Sequence, residues 1–193
     1  MSIIRSKRFY YLLLVLCSIG LGLQIFLYKV AIIALILQWI FTFEYKQKIS
    51  KIWKNNFILG WMSLFFLYAG SLFWTDNIPF ALTDLLLKSP ILTLPLVIGS
   101  QDKLTTTQTN SILLSFALSV LALNLFCAID AYFSFLKTHE IKHFYYYHLT
   151  VNMHTAYQAM FTCFSVSVLI YLRLKDKFIE NWVMYFGVIV QLI

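Results

Sequence analysis

All four histidines of the chain, His139, His143, His148 and His154, fall within 16 residues of one another. Around and between them stand Lys137, Glu140, Lys142 and the aromatic run Phe144-Tyr145-Tyr146-Tyr147. Imidazoles exchange protons near neutral pH, lysines attract phosphate, and tyrosine rings join an apolar body to a polar tip. Three readings stand side by side. The cluster is an interfacial aromatic belt, or a zinc site in which His139 and His143, four apart, share a helical face, or a wall that binds a sugar or a diphosphate-linked lipid. The zinc reading lacks a third ligand of suitable spacing and a nearby cysteine, so no metal is expected.

Two further pairs carry polar chemistry inside apolar surroundings. Asp84 and Lys88 are four apart, in the acid-then-base order that favours pairing on one helical face. They form a mutual ion pair, or Lys88 faces a bundle interior and holds a phosphate, from a position one to two turns below the outer surface. His154 and Tyr157 lie about one helical turn apart at the start of an apolar stretch. There His154 either packs by hydrogen-bonding a neighbouring helix or takes part in function, because polar groups in hydrocarbon are expensive without a reason.

The elements that must position these residues are set by composition. The 193 residues are 61% hydrophobic and 12% charged, well outside the range of soluble globular chains. Residues 9–28, 55–75 and 104–129 are uncharged runs of 20, 21 and 26 residues, against the roughly 20 that cross a hydrocarbon core about 30 Å thick. The expected fold is an all-α polytopic transmembrane bundle. Its expected form is one transmembrane domain over residues 1–193, with about six complete spans and a seventh that starts at Trp182 and is cut off after about half a crossing.

The net charge of +7 is sorted along the chain. Arg5, Lys7, Arg8, Lys46, Lys48, Lys51, Lys54, Lys103, Arg173, Lys175 and Lys177 fall in alternate gaps between the runs, which the positive-inside rule makes cytoplasmic. The amino end is then cytoplasmic, and the basic surface faces anionic lipid rather than nucleic acid. No small-residue cleavage site follows the first run, so it is expected to stay as an uncleaved helix. Cys17, Cys127 and Cys163 all fall inside apolar runs and imply no disulfide framework.

On this pattern the spans occupy about residues 9–23, 24–43, 57–74, 79–100, 111–131 and 152–172. A basic cytoplasmic loop covers 44–56, and the longest outer loop covers 132–151. The fourth span carries Pro90 and Pro95, which free backbone carbonyls and bend a helix. No internal repeat and no soluble domain is visible.

The order of these features resembles the first half of the bacterial O-antigen ligase and polymerase family, in the versions found in Bacteroidetes. The likeness rests on the outer turn Ser71-Leu72-Phe73-Trp74-Thr75-Asp76-Asn77, the stretch Lys88-Ser89-Pro90-Ile91-Leu92-Thr93-Leu94-Pro95, the aromatic segment Tyr145-Tyr146-Tyr147-His148-Leu149 and the opening His154-Thr155-Ala156-Tyr157. It covers roughly residues 53–172. Those relatives often carry Pro after the histidine, where Thr155 stands here.

The resemblance implies a membrane glycosyltransferase of about twelve spans in the bacterial inner membrane, of which these residues form the amino-terminal half. Such enzymes move a glycan from an undecaprenyl-diphosphate carrier to an acceptor at the periplasmic face, as in lipopolysaccharide biosynthesis, without a nucleotide sugar or an essential metal cofactor. The family's large periplasmic loop, with its arginines and a key histidine, is expected after residue 193. No catalytic residue is therefore carried over, and His154 is not that histidine. Candidate substrate-binding residues are Lys88, Lys137, Lys142, His148, His154 and Tyr157, and the expected partners are the lipid-linked glycan and membrane lipids. A transporter or flippase component, or a non-catalytic membrane protein that assembles with partners, is the alternative.

Overall fold

A computed structural model describes residues 6–42, 44–145, 149–150, 154–175 and 177–192. Among them every regular element is helical and no strand occurs. The α-helices are α1 (Lys7–Gly22), α2 (Leu27–Phe41), α3 (Tyr45–Trp53), α4 (Asn56–Gly70), α5 (Ile78–Lys88), α6 (Pro90–Gly99), α7 (Thr106–Thr138), α8 (Thr155–Leu174) and α9 (Asn181–Leu192). Short 3-10 turns follow α4, at Ser71–Trp74, and α7, at Ile141–Phe144. Four stretches are long and apolar enough to cross a membrane: Asn56–Trp74, Ile78–Gly99, Thr106–Thr138 and Thr155–Leu174, with a fifth if α2 and α3 count as one. At 16 and 15 residues, α1 and α2 are each shorter than the roughly 20 residues of a full crossing.

The helix ends follow local chemistry. Asn55 and Asn77 accept the backbone N–H groups of Phe57 and Phe80, capping α4 and α5. Thr105 and Gln108 form a reciprocal capping box at the start of α7. Tyr132 to Thr138 contain neither Gly nor Pro, so α7 runs on through what the sequence reads as the outer loop. It stops where His139 adopts a left-handed backbone (φ 55°) and donates its N–H to the Phe135 carbonyl at 2.7 Å. The expected cytoplasmic loop over 44–56 is likewise mostly α3. Its apolar positions Tyr45, Ile49, Ile52 and Trp53 recur at helical spacing.

The helices gather into two compact units. One comprises residues 34–103, and in it α4 and α6 run antiparallel. A Cβ added at Gly99 would stand 2.6 Å from Ile58 Cδ1, so the glycine permits that approach. α3 is fastened at the same end, by an ion pair of 2.8 Å from Lys51 Nζ to Asp102 Oδ1.

The other unit comprises residues 7–33 and 104–193 and is built around α7. α1 runs parallel to α7, with Ser18 Oγ 2.6 Å from Ser115 Oγ. One turn on, Gly22 meets Ser119 so closely that a Cβ there would lie 1.9 Å from the Ser119 Oγ. α8 returns antiparallel, and Val168, Leu169, Leu172 and Ile179 close a core on Ala117.

Buried polar side chains link these helices. Gln158 Nε2 donates to Asn124 Oδ1 at 3.0 Å, and Asn124 Nδ2 donates to Thr162 Oγ1 at 3.0 Å. Gln158 Nε2 also reaches Cys127 Sγ at 3.6 Å. The Ala117 carbonyl accepts from Ser165 Oγ at 3.2 Å and from Gln191 Nε2 at 3.5 Å, so α7, α8 and α9 meet at one oxygen. Interhelical hydrogen bonds of this kind average about 0.6 kcal/mol in membrane bundles. A double-mutant cycle of Asn124→Ala and Gln158→Ala, read by denaturation in detergent, is expected to show a coupling of about that size. Strictly additive effects would mean that the two amides do not hold α7 to α8.

Candidate functional site

At the end of α7 the chain folds back on itself. Phe144, in the 3-10 turn, packs on Phe135 with ring centres 5.8 Å apart, and the His139 ring meets the edge of Phe135 at 6.2 Å. His143 Nε2 lies 2.9 Å from the Thr138 hydroxyl. Because α7 ends at Thr138, His139 and His143 do not share a helical face, and the spacing argument for a paired zinc site lapses. Among the described residues no three His, Cys, Asp or Glu side chains gather as a metal site would require. Lys142 is paired with Glu140, whereas Lys137 stands exposed in the last turn of α7, where a cation complements the helix dipole. His148 lies outside the described residues.

His154 is the N-cap of α8. Its Nδ1 accepts the Ala156 N–H at 3.3 Å, in the place usually taken by Ser, Thr, Asp or Asn. Its ring also meets the Tyr157 ring edge-on at 6.3 Å, and Tyr157 is exposed. The structure thus joins His154 to Tyr157, and gives the histidine a structural role that spacing alone did not reveal.

Lys88 is the last residue of α5. It is paired with Asp84, and its Nζ lies 4.2 Å from the centre of the Tyr68 ring. Ser89 and Pro90 interrupt the helix directly after it; Pro90 has no N–H, and Ser89 donates to the Leu86 carbonyl instead. Within Ile78–Gly99, Lys88 is the eleventh of 22 residues. It therefore sits midway along the stretch, deeper than the one to two turns inferred from sequence. Both members of the pair stay partly exposed. A neighbouring groove of about 480 Å³, lined by Phe57, Ile58, Trp61, Ile91, Leu94 and Pro95, offers almost no polar group to orient a ligand.

One cation escaped the sequence reading. Lys48 is buried, 3% exposed, with its Nζ donating to the Trp39 carbonyl in the last turn of α2. The Trp39 and Tyr45 rings flank that Nζ at 4.9 and 5.4 Å. Burial pushes the Lys48 ammonium below the ordinary lysine value, partly offset by the Glu44 carboxylate. The signal available was Lys48 three residues after Tyr45 and nine after Trp39, which becomes meaningful only once α3 folds against α2. The amide pair Asn124 and Gln158 was missed for the same reason, since their contact joins residues 34 apart.

The chain matches no family model, no curated protein and no solved structure.

The cap at His154 gives a direct test. Replacing His154 by Ala removes the acceptor and is expected to destabilise the protein by about 1 kcal/mol, while Asn at this position restores the cap. Thermal unfolding of the purified variants measures this, and an Ala variant that melts like the parent would remove the capping role.

Proposed function

We propose that this protein is a multi-pass membrane glycosyltransferase of the O-antigen ligase type, acting in the bacterial inner membrane. It transfers a glycan from undecaprenyl diphosphate to an acceptor at the periplasmic face. The observation that carries this reading is Lys88: an accessible cation at a helix break, steered by Asp84 and by the Tyr68 ring. The motif order around it, from the turn at Trp74 to His154 and Tyr157, supports the same reading through its resemblance to that family.

The chemistry asks for a cation that stabilises the departing diphosphate and for a base that activates the acceptor hydroxyl. An ammonium held by one carboxylate can exchange it for a phosphate without leaving its place. Lys137 and Lys142, at the end of α7, and His154, at the start of α8, are the candidate cations and imidazole of their own unit.

The orientation belongs to the same proposal: six crossings, with the amino end in the cytoplasm. Parallel α1 and α7 and antiparallel α8 put Lys7, Arg8, Arg173 and Lys175 at one end of their unit and Lys137, Lys142 and His154 at the other. In the other unit, Lys46, Lys48, Lys51 and Lys54 share an end with Lys103. This sorting supports the positive-inside assignment. Alkaline phosphatase fused after Asp76 or Lys142 is expected to be active, and fused after Lys51 or Lys175 inactive. The reverse pattern would invert the orientation and remove the periplasmic site.

The midway position of Asp84 and Lys88 favours a second reading, a transporter or flippase component, because such proteins carry paired charges at broken helices near the midplane. One experiment separates the two. In cells carrying the intact gene, Lys88→Ala is expected to lower surface glycan more than tenfold at normal protein abundance, with Lys88→Arg milder. Glycan still linked to carrier would then accumulate on the periplasmic side. Accumulation on the cytoplasmic side would favour the transporter, and unchanged surface glycan would reduce Lys88 to a structural partner of Asp84.

A further inference from the structure

α3 is amphipathic, and its apolar side is only partly covered. Lys48 and Ile52 are buried on its inner side. Next to them Ile49 and Trp53, four apart, form an apolar stripe open to the surroundings, with Trp53 70% exposed, while Tyr45 turns its ring onto Trp39 and Lys48. Lys46, Gln47, Ser50 and Lys54 make up the exposed polar side. No carboxylate stands within ion-pair distance of Lys46 or Lys54 among the described residues, although the exposed Glu44 precedes the helix.

The position of this helix is fixed by its neighbours. Asn56–Trp74, the first candidate span of its unit, begins three residues after Trp53. The second, Ile78–Gly99, ends three residues before Asp102, the partner of Lys51. Trp39 ties in as well, its Nε1 donating to Ser100 Oγ at 2.7 Å while its carbonyl accepts from Lys48. α3 is therefore pinned where both stretches leave the hydrocarbon, and its outer apolar stripe meets the layer of lipid headgroups. Two side chains are too few for a stable protein interface, which takes about 800 Å² per partner. They suit a helix lying in that layer, with tryptophan at the boundary and lysines on the phosphates.

We propose that α3 is an anionic-phospholipid binding element: Ile49 and Trp53 enter the acyl boundary, and Lys46 and Lys54 hold headgroup phosphates. The proposal rests on the reading that Asn56–Trp74 and Ile78–Gly99 cross a membrane, and its test keeps the two apart. The intact protein, with Cys17, Cys127 and Cys163 replaced by Ala, is spin-labelled at Ile49→Cys, Ser50→Cys or, within α4, Leu64→Cys. It is placed in nanodiscs of phosphatidylcholine with or without phosphatidylglycerol.

The label at position 49 is expected to be open to oxygen and shielded from a polar nickel chelate, and the label at 50 the reverse. Lys46→Gln with Lys54→Gln is expected to weaken retention of phosphatidylglycerol about twenty-five-fold, as read by native mass spectrometry, since each basic residue near an anionic surface contributes about fivefold. A lipid-exposed label at 64 with a chelate-exposed label at 49 overturns the α3 proposal alone. Chelate exposure at both overturns the membrane reading beneath it. Unchanged phosphatidylglycerol retention in the double variant also overturns the α3 proposal.

Discussion

The unit around α7 depends on one constraint: a polar side chain on the buried face of a long apolar helix must find its partner within the protein. Between apolar helices lipid gives no hydrophobic reason to associate, so small residues and hydrogen bonds decide which faces meet. Gly22 and Ala117 let backbones come close, and Ser18, Ser115, Asn124, Gln158 and Ser165 fix the register. A slip of one residue in α8 would carry Gln158 and Ser165 off the α7 face together. The Ala117 carbonyl then does more than close its own helix, because α8 and α9 both converge on it.

The same constraint acts differently in residues 34–103. There the charged groups lie near helix breaks and ends rather than in a seam: Lys88 at the close of α5, Lys48 under the end of α2, Lys51 on Asp102. Each cation is satisfied locally, by a carboxylate, a terminal carbonyl or an aromatic face. Such pairings need only adjacent elements, whereas the amides of α7 and α8 must be aligned along two long helices.

What could be read in the sequence follows the range of the interaction. Uncharged runs over 55–75 and 104–129 announced α4 and α7, because a long apolar run has few other fates. The Asp84–Lys88 pair was readable because its members are four apart on one helix. Contacts between distant residues were not readable: Asn124 with Gln158, Ser18 with Ser115 and Lys48 with Trp39 all require the packing first. Boundaries failed where no breaker marks them, as when α7 ran past Ala131 to Thr138, and where amphipathic spacing was short, as in α3. The candidate site was only partly visible. His154 and Tyr157 stood out as a pair, but the capping bond from Ala156 depends on a backbone turn that residue types do not encode uniquely.

α7 is 33 residues long, about 50 Å at 1.5 Å per residue, against a hydrocarbon layer of about 30 Å. Its uninterrupted uncharged run ends at Ile129, and from Asp130 to Thr138 it continues as helix for roughly 12 Å. That surplus is a rigid post. It fixes the distance from the end of the uncharged run at which the turn of His139, Lys142 and His143 stands, so anything that meets those side chains must carry its polar part to that level. The length of α7 is, in effect, a ruler for what can reach them.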